Sequence, residues 1–417
     1  MKINAPIDFT PEMKRDYTII VPDIFPIHMD LVVGVFKMHG YKAQVVHYNG
    51  KDVIETGLKY LHNDICYPAI CELGQSLYAL VCGDFDPDKS ALIQFQTGGG
   101  CRASNYLLLL RKALVKMGME HVPVISMSLS SIEHYSGFKL TPTILFQGLR
   151  SLVYGDMLML LRNQVRPYEK TPGDADRLTD IWIERILDQF RKGKGISGRA
   201  MRKNMKAIAD DFSKIETEDR KLRKVGIVGE IYVKYSSFGN NGLEEFLLAN
   251  GCEYMVPGVL GFFQFMFANM DVEYRYYGKS RRSAILGRIG ERYACRIENE
   301  MLDALRPYPK FNSPCDFQEI KALADRVIDR GVKMGEGWLL PGEACELIEK
   351  GNDNIVCAQP FGCLPNHIVG KGTIRKLREL YPSANIFPVD YDPGASKVNQ
   401  ENRIKLMLAI ADDKESK

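Results

Sequence analysis

Ten cysteines are the residues of this 417-residue chain whose chemistry most needs an explanation. Four of them lie in loop-like sequence near glycine or proline, namely Cys66, Cys101, Cys357 and Cys363. Glycine lets a backbone approach closely, and its neighbouring N–H groups can hydrogen-bond thiolate or sulfide ligands. We therefore predict that these four thiols bind a metal centre, beside the backbone of Gly100 and Gly362.

The spacing of the cysteines restricts the kind of metal centre. No Cys-x-x-Cys pair occurs, so zinc-ribbon, thioredoxin-type and ferredoxin-type patterns all fail. Zinc is thus a weaker alternative than an iron–sulfur cluster held between domains. Cys71 and Cys345 lie in helix-like sequence and are reserve ligands. The others are expected to pack or are left unassigned, namely Cys82, Cys252, Cys295 and Cys315.

Three further polar residues lie beside these loops. His367 is a candidate proton donor near a reduced substrate, although a lone histidine is more often structural. Asn105 and Asn366 are expected first to cap helices and second to hydrogen-bond the surroundings of the metal centre. No complete Gly-x-x-x-x-Gly-Lys-Ser/Thr motif occurs, so we do not expect the chain to hydrolyse ATP itself.

The elements that position these residues follow from an alternation of β-branched runs with amphipathic stretches. The predicted strands are residues 17–21, 44–46, 91–96, 122–127, 225–231, 254–256, 354–358 and 386–389. Such alternation predicts an α/β protein with parallel sheets, whose sites lie at the carboxyl ends of strands. We expect an N-terminal α/β domain (1–140), a helical connecting region (141–223) and a C-terminal α/β domain with a helical insertion (224–417).

The two α/β halves contain similar local sequences. Each has a strand, a Gly-Cys turn that ends in Cys101 or Cys363, an asparagine, a helix and a second strand. A shorter echo precedes each turn, AICEL at 69–73 and EACEL at 343–347. These echoes are weak evidence of an internal duplication, which would place Cys101 and Cys363 in related strand-to-helix loops.

Composition excludes several classes of protein. The formal net charge is only +3, which indicates no dedicated nucleic-acid or anionic-membrane surface. The longest apolar run, 258–270, is too short and too polar to span a membrane. Residues 1–15 lack the apolar core of a secretory signal. We therefore expect a cytoplasmic protein, in which cysteines stay reduced.

The motifs around these residues are similar to those of a known family. NDICYPA (63–69), QTGGGCRASNY (96–106), GEGWLL (335–340), QPFGCLPNH (359–367) and DYDPGAS (390–396) resemble the acyl-CoA dehydratase activase-related proteins. That family is akin to the cluster subunits of 2-hydroxyacyl-CoA dehydratases and benzoyl-CoA reductases, and to the double-cubane cluster proteins. The resemblance covers most of the chain.

The resemblance implies an oxygen-sensitive iron–sulfur protein with Rossmann-like domains. Its cluster would accept low-potential electrons from an ATP-hydrolysing activator with a cluster of its own, for reduction or radical dehydration of a small substrate. By motif, Cys66, Cys101 and Cys363 match the ligands of a [4Fe-4S] cluster, and Cys357 is a fourth candidate. A double-cubane [8Fe-9S] cluster would recruit Cys71 and Cys345. A homodimer and an acyl-CoA substrate are expectations from kinship alone.

Two other classes of function stay open at this point. One is a non-catalytic iron–sulfur module that relays electrons or assists assembly. The other is an interaction protein without metal.

Overall fold

The computed structural model of the chain describes residues 7–62, 64–96, 100–128 and 133–415. It contains two four-stranded sheets whose strands are all parallel, surrounded by helices. The α/β class predicted from the alternation of runs is therefore confirmed. The first sheet is formed by the N-terminal half of the chain and the second by the C-terminal half.

All eight predicted strands are present, with ends within two residues of the predicted ones. They are β1 (Thr18–Pro22), β2 (Lys42–Val46), β3 (Ser90–Gln96), β4 (Val124–Ser128), β5 (Arg223–Gly229), β6 (Cys252–Met255), β7 (Asn354–Pro360) and β8 (Asn385–Tyr391). Most residues of β1, β5, β6 and β7 are buried. Parallel strands covered by helices on both faces need apolar side chains on both, which explains these short continuous runs.

The order of strands is the same in the two sheets, β2-β1-β3-β4 and β6-β5-β7-β8. Each half therefore repeats one topology, in agreement with the duplication suggested by the local sequence echoes. Cys101 follows the third strand of its half, and Cys363 follows the third strand of the other. The two Gly-Cys turns thus occupy related positions.

Helices connect the strands and fill the space between the sheets. In the first half they are α1 (Pro11–Asp16), α2 (Pro26–Met38), α3 (Lys51–Tyr60), α4 (Tyr67–Val81) and α5 (Tyr106–Met117). The middle of the chain forms α6 (Pro142–Val165), α7 (Asp174–Arg191) and α8 (Gly198–Ser213). The predicted helical connection between the halves is therefore present.

The second half carries nine helices within the described ranges. They are α9 (Ile231–Tyr235), α10 (Leu243–Ala249), α11 (Leu260–Tyr277), α12 (Arg281–Leu305), α13 (Phe317–Asp325), α14 (Leu339–Glu349), α15 (Leu364–Asn366), α16 (Ile374–Leu380) and α17 (Lys397–Glu415). Helices α11 to α13 lie between β6 and β7 and form the predicted helical insertion.

Helix α6 joins the two halves through a buried carboxylate. Asp156 Oδ1 contacts His28 Nε2 of α2 at 2.9 Å, and the same side chain accepts hydrogen bonds from the backbone N–H groups of Val259 (2.6 Å) and Leu260 (3.0 Å) at the start of α11. A helix N-terminus has unsatisfied N–H groups that a carboxylate satisfies well. The Asp156 side chain therefore holds both α2 and α11 to α6.

Helix α6 is also the one helix of the described residues long and apolar enough to meet the criteria for a membrane span. Its 18-residue apolar window has a mean hydropathy of 1.3, and 72% of that window is buried inside the protein. Such burial is typical of the core helix of a soluble protein. The apolar run 258–270 of the sequence analysis lies mainly in the N-terminal part of α11. Its two polar residues, Gln264 and Asn269, are buried.

Candidate functional site

Three of the four predicted cysteine ligands lie in loops that contact one another. Cys66 immediately precedes α4, Cys101 precedes a short turn (Arg102–Asn105) that leads to α5, and Cys363 precedes α15. The first and third loops belong to different halves of the chain. A site assembled from them needs both halves.

Backbone contacts bring the Cys66 loop onto the Cys363 loop. Tyr67 N donates a hydrogen bond to Phe361 O at 2.9 Å. A Cβ atom on Gly362 would lie 3.0 Å from Cys66 Cα, and the φ angle of Gly362 is +74°. Glycine is required here both by this left-handed conformation and by the close approach of the two backbones.

The Cys66 loop also contacts the loop that carries Cys101. Cys66 Sγ lies 2.9 Å from Tyr106 Oη at the start of α5, and the Arg102 guanidinium donates to the backbone carbonyl of Asp64. The absence of a side chain at Gly100 lets Met334 pack against the backbone there, because a Cβ atom would lie 2.5 Å from Met334 Sδ. Residues 97–99 of the glycine run lie outside the described residues.

The three thiols interact electrostatically as well as through their loops. Besides burial, the pKa of the Cys101 thiol is raised by Cys66, and that of Cys363 is raised by Cys101. Burial is the main cause in each case and brings the pKa of Cys101 to about 12. Such thiols are protonated at neutral pH and are poor nucleophiles, whereas a bound metal displaces the proton. The environment suits metal binding better than thiol catalysis.

Cys357, the fourth predicted ligand, lies in β7 and contacts Gln359 and Gly370. Its Sγ accepts a hydrogen bond from Gln359 Nε2 at 3.4 Å and would be 3.2 Å from a Cβ atom on Gly370. Burial, Gln359 and the charge of Glu336 are the leading influences on its pKa, which is raised to about 12. Its role as a fourth ligand stays a prediction.

The remaining cysteines lie apart from the three loops or inside helices. Cys71 is fully buried in α4, with Cys66 among its electrostatic neighbours. Cys345 is fully buried in α14 and interacts with Tyr381 and Arg326. Cys252 is fully buried in β6, and Cys82, Cys295 and Cys315 are partly exposed. The two reserve ligands thus lie in different surroundings, which does not favour a double cubane.

The donor set fits a cluster better than a single ion. Within the described ranges, no three Cys, His, Asp or Glu side chains stand close enough together to hold one metal ion. A tetrahedral zinc site needs its ligands around one atom, whereas a cubane cluster binds each thiolate through a different iron. Three thiols on separate, touching loops therefore agree with the second kind of centre.

Buried polar groups around the three loops have no partner within the described protein. Asn366 is only 1% exposed, and neither Nδ2 nor Oδ1 of its side chain has a hydrogen-bond partner. Glu336 Oε2 and Gln359 Oε1 are likewise buried without a partner. Leaving such groups unpaired costs about 1–3 kcal/mol each. These groups are therefore able to hydrogen-bond a polar or charged group bound beside the loops.

Two buried glutamates at the site, Glu230 and Glu336, were not among the residues predicted from the sequence. Glu230 follows β5, and its Oε2 accepts a hydrogen bond from Val233 N at 3.0 Å. Glu336 Oε1 accepts from Ile231 N at 2.9 Å. Both carboxyls influence the thiols of Cys101 and Cys363. The position of Glu230 at the carboxyl end of a strand was the available signal, and Glu336 lies inside the quoted GEGWLL motif.

Burial keeps these two carboxyls protonated at higher pH than usual. It is the largest cause of the raised pKa of each, and the two groups oppose each other's ionisation. Behind them, Glu343 forms a buried ion pair with Lys234, whose Nζ lies 2.9 Å from both carboxyl oxygens. Three buried glutamates therefore lie near one another here, and the charge of one, Glu343, is compensated by Lys234.

The echoed sequences AICEL and EACEL also contain buried acids that the sequence analysis did not assign. Burial raises the pKa of both Glu72 and Glu346 to about 8. Glu72 accepts a hydrogen bond from Gln94 Nε2 of β3 at 2.6 Å, and Glu346 accepts one from Cys315 N at 2.7 Å. The echo thus places a buried glutamate on α4 and on α14.

The expected helix-capping roles of Asn105 and Asn366 are wrong. Neither side chain makes a capping hydrogen bond, and Asn366 has helical backbone angles (φ −67°, ψ −43°). A capping side chain needs an extended backbone that turns its oxygen back toward the first free N–H groups. Asn105 is exposed after its short turn, whereas Asn366 is buried beside Gly370. Only Asn366 is placed to contact a group bound within the site.

His367 is held by the backbone. Its Nε2 donates to Pro360 O at 3.1 Å, which fixes the ring against the end of β7. This geometry favours the structural alternative over a proton-donating role.

Comparisons with protein-family models and with curated proteins give no match.

Proposed function

We propose that this chain is a cytoplasmic iron–sulfur protein that holds a [4Fe-4S] cluster through Cys66, Cys101 and Cys363. In this proposal the cluster accepts low-potential electrons from an ATP-hydrolysing activator and passes them to a small substrate of the acyl-CoA class, for reduction or radical dehydration. The observation that carries the proposal is the contact between three cysteine-bearing loops, contributed by both halves of the chain, whose thiols influence one another electrostatically.

The chemistry of the surroundings supports this choice. A cluster with three protein thiolates supplies one-electron transfer and one iron without a protein ligand. The buried thiols are protonated without a metal, so they would release protons as the cluster is loaded. The unsatisfied amide of Asn366 and the N–H groups beside Gly100 and Gly362 are suited to hydrogen-bond sulfur atoms of the loaded site.

The buried carboxyls give the site a proton source. Burial raises the pKa of Glu230 to about 8, so this carboxyl retains its proton near neutral pH, and burial also raises the pKa of Glu336. Reduction of a substrate needs protons as well as electrons, and a neutral carboxylic acid can donate one in a site that excludes water. These two acids are better placed for that role than His367.

Anaerobic purification, reconstitution and counting of iron and sulfide per chain test the proposal. We expect about four irons and four sulfides, against about eight irons for a double cubane. The variants Cys66→Ala, Cys101→Ala and Cys363→Ala should each lose at least about half of the iron, because each removes a thiolate.

Cys252→Ala is the control, because it also removes a thiol but from β6, which is none of the three loops. It should retain the iron content of the unmodified chain. A chain without iron or sulfide after reconstitution, or equal iron in all four variants, would contradict the proposal.

A non-catalytic electron relay is the alternative, and the placement of Cys357 favours it. This thiol is buried and shares the electrostatic influence of Glu336 with Cys101 and Cys363. A fourth thiolate would leave no iron for a substrate. Loss of iron in Cys357→Ala, without substrate turnover by the unmodified chain given activator, ATP and reductant, would support the relay; turnover would exclude it.

A further inference from the structure

A pocket of about 760 Å³ lies outside the thiol site, between α8, α11, α12 and α13. Its volume is typical of small-molecule sites. Trp338, which is fully buried, forms part of its floor, and Val272 and Ala268 form an apolar wall. The pocket is strongly cationic for a protein whose net charge is only +3: seven Lys or Arg and four Asp or Glu side chains line it.

The four acids of the pocket are already paired with cations. The contacts are Asp271 with Arg275 and Arg288, Glu291 with Lys321, Glu300 with Arg202, and Asp303 with Arg306. One carboxylate, that of Asp271, is shared by two guanidiniums at 2.6 Å each. The acids therefore leave a surplus of positive charge in the pocket.

Arg292 and Arg296 carry most of that surplus. Within the described residues, neither guanidinium has a hydrogen bond or ion pair, and both side chains are exposed to the pocket. Together with Arg288 they form a row of three arginines at four-residue intervals along α12. Like charges at this spacing destabilise a helix, and within the row only Arg288 is compensated, by Asp271.

We propose that this pocket binds the phosphate groups of a diphosphate-bearing small molecule. The guanidinium fork matches phosphate oxygens with two parallel hydrogen bonds, and consecutive turns of α12 present such forks about 5–6 Å apart. A diphosphate carries several negative charges on adjacent groups, which matches two unpaired arginines and a half-paired third. Tyr276, 60% exposed at the edge of the pocket, offers a ring on which a nucleobase can stack.

Calorimetric titration of the full, iron-loaded chain with inorganic pyrophosphate tests the proposal. The double variant Arg292→Gln/Arg296→Gln should weaken binding at least about tenfold, because it removes both free guanidiniums. Arg292→Lys/Arg296→Lys keeps the charge but not the forks, and should weaken binding by about threefold or more. Iron content should not change in either variant, which separates this site from the thiol site.

Arg281→Gln/Arg282→Gln is the matched control. It removes the same charge from the exposed start of the same helix, about 16 Å from Arg292 and beyond the screening length at physiological salt. Its affinity for pyrophosphate should change less than about twofold. Equal losses in the two glutamine variants, or no binding by the unmodified chain, would overturn the proposal.

Two further titrations identify the chemistry of the ligand. Citrate should bind much more weakly than pyrophosphate, since carboxylates are arranged differently from phosphate oxygens; equal binding would overturn the assignment to phosphate. ADP that binds more tightly than pyrophosphate, with the gain lost in Tyr276→Ala, would identify a nucleotide as the form bound. Equal binding of ADP and pyrophosphate would identify the diphosphate alone as the recognised group.

Discussion

Burial decides the protonation of the acids and thiols around the candidate site. Glu230, Glu336 and the three loop cysteines all have burial as the largest cause of their raised pKa values. Their few hydrogen bonds act in the opposite direction but are weaker. Burial thus disfavours the charged forms of these groups when nothing is bound, and a ligand that lets them ionise must compensate for the loss of water.

A buried glutamate remote from the thiols provides a direct test of this effect on stability. Glu298 of α12 is 8% exposed, and its Oε2 accepts hydrogen bonds from Gln264 Nε2 (2.9 Å) and Phe317 N (3.3 Å). Burial raises its pKa to about 8, from an ordinary value near 4.5. Between these two pH values the unfolded chain loses the proton while the folded chain keeps it, so stability falls as pH rises.

We predict that Glu298→Gln reduces this dependence. The melting temperature of the unmodified chain should fall between pH 5 and pH 8 by roughly 3 °C more than that of the variant, which stays neutral and can keep both hydrogen bonds. Glu55→Gln, on the exposed face of α3, controls for the change in charge. Equal slopes in Glu298→Gln and the unmodified chain would show that Glu298 ionises normally in the folded state.

At the scale of elements, the backbone crossing of the Cys66 and Cys363 loops depends on one glycine. Gly362 combines a φ of +74° with an approach of 3.0 Å between its missing Cβ and Cys66 Cα. Gly351, after α14, has a similar φ of +86° but has nothing within 4 Å of the same position. A side chain at Gly351 would therefore cause backbone strain alone, whereas one at Gly362 would cause both backbone strain and a clash with the Cys66 loop.

We predict that Gly362→Ala and Gly351→Ala both lower the urea midpoint, because each places a side chain in a left-handed conformation at a cost of about 1–2 kcal/mol. Only Gly362→Ala should also lower the iron content after reconstitution, since its Cβ pushes the Cys66 backbone away. Full iron in both variants would show that this crossing does not position the thiols.

The elements show what sequence can and cannot predict. All eight strands were predictable, because a parallel strand covered on both faces must be a short apolar run between turn residues. The order of strands was not predictable, since β5 pairs with β7 across the whole α9–α14 segment. The cysteine loops were predictable from neighbouring glycine or, at Cys66, proline, whereas Glu230 and Glu336 were not predicted because an acidic residue is normally exposed.

The prediction that Asn105 and Asn366 cap helices was wrong for a local reason. Their sequence positions, directly before helices, were correct for capping, but the backbone of Asn366 is already helical. Where a helix begins depends on how the preceding turn packs against the rest of the protein, which the neighbouring residues alone do not reveal.

At the scale of the whole molecule, the site is a junction between two halves that repeat one topology. Helix α6 joins the halves through Asp156, and the Tyr67–Phe361 hydrogen bond joins them again at the thiols. A group bound by cysteines of both halves would add a third connection. Ligands that bind only the folded state stabilise it in proportion to their affinity.

We predict that iron loading raises the melting temperature by roughly 5 °C or more, because the bound group connects both halves. The comparison is between loaded and chelator-stripped chain, measured anaerobically by differential scanning fluorimetry. Cys101→Ala/Cys363→Ala, treated in the same way, should show no difference. The same melting temperature for loaded and stripped unmodified chain would contradict a bridging group.

The position of β7 in the chain also has a consequence for biosynthesis. Its partner β5 begins at Arg223, and β7 begins only at Asn354, after the inserted helices α11 to α13. Pairing between strands so distant in sequence closes a large loop and is slow. The N-terminal sheet can fold on the ribosome well before Cys363 has been synthesised. Any group that binds all three thiols must therefore bind after Cys363 has been synthesised, and cannot be fully held by the N-terminal half alone.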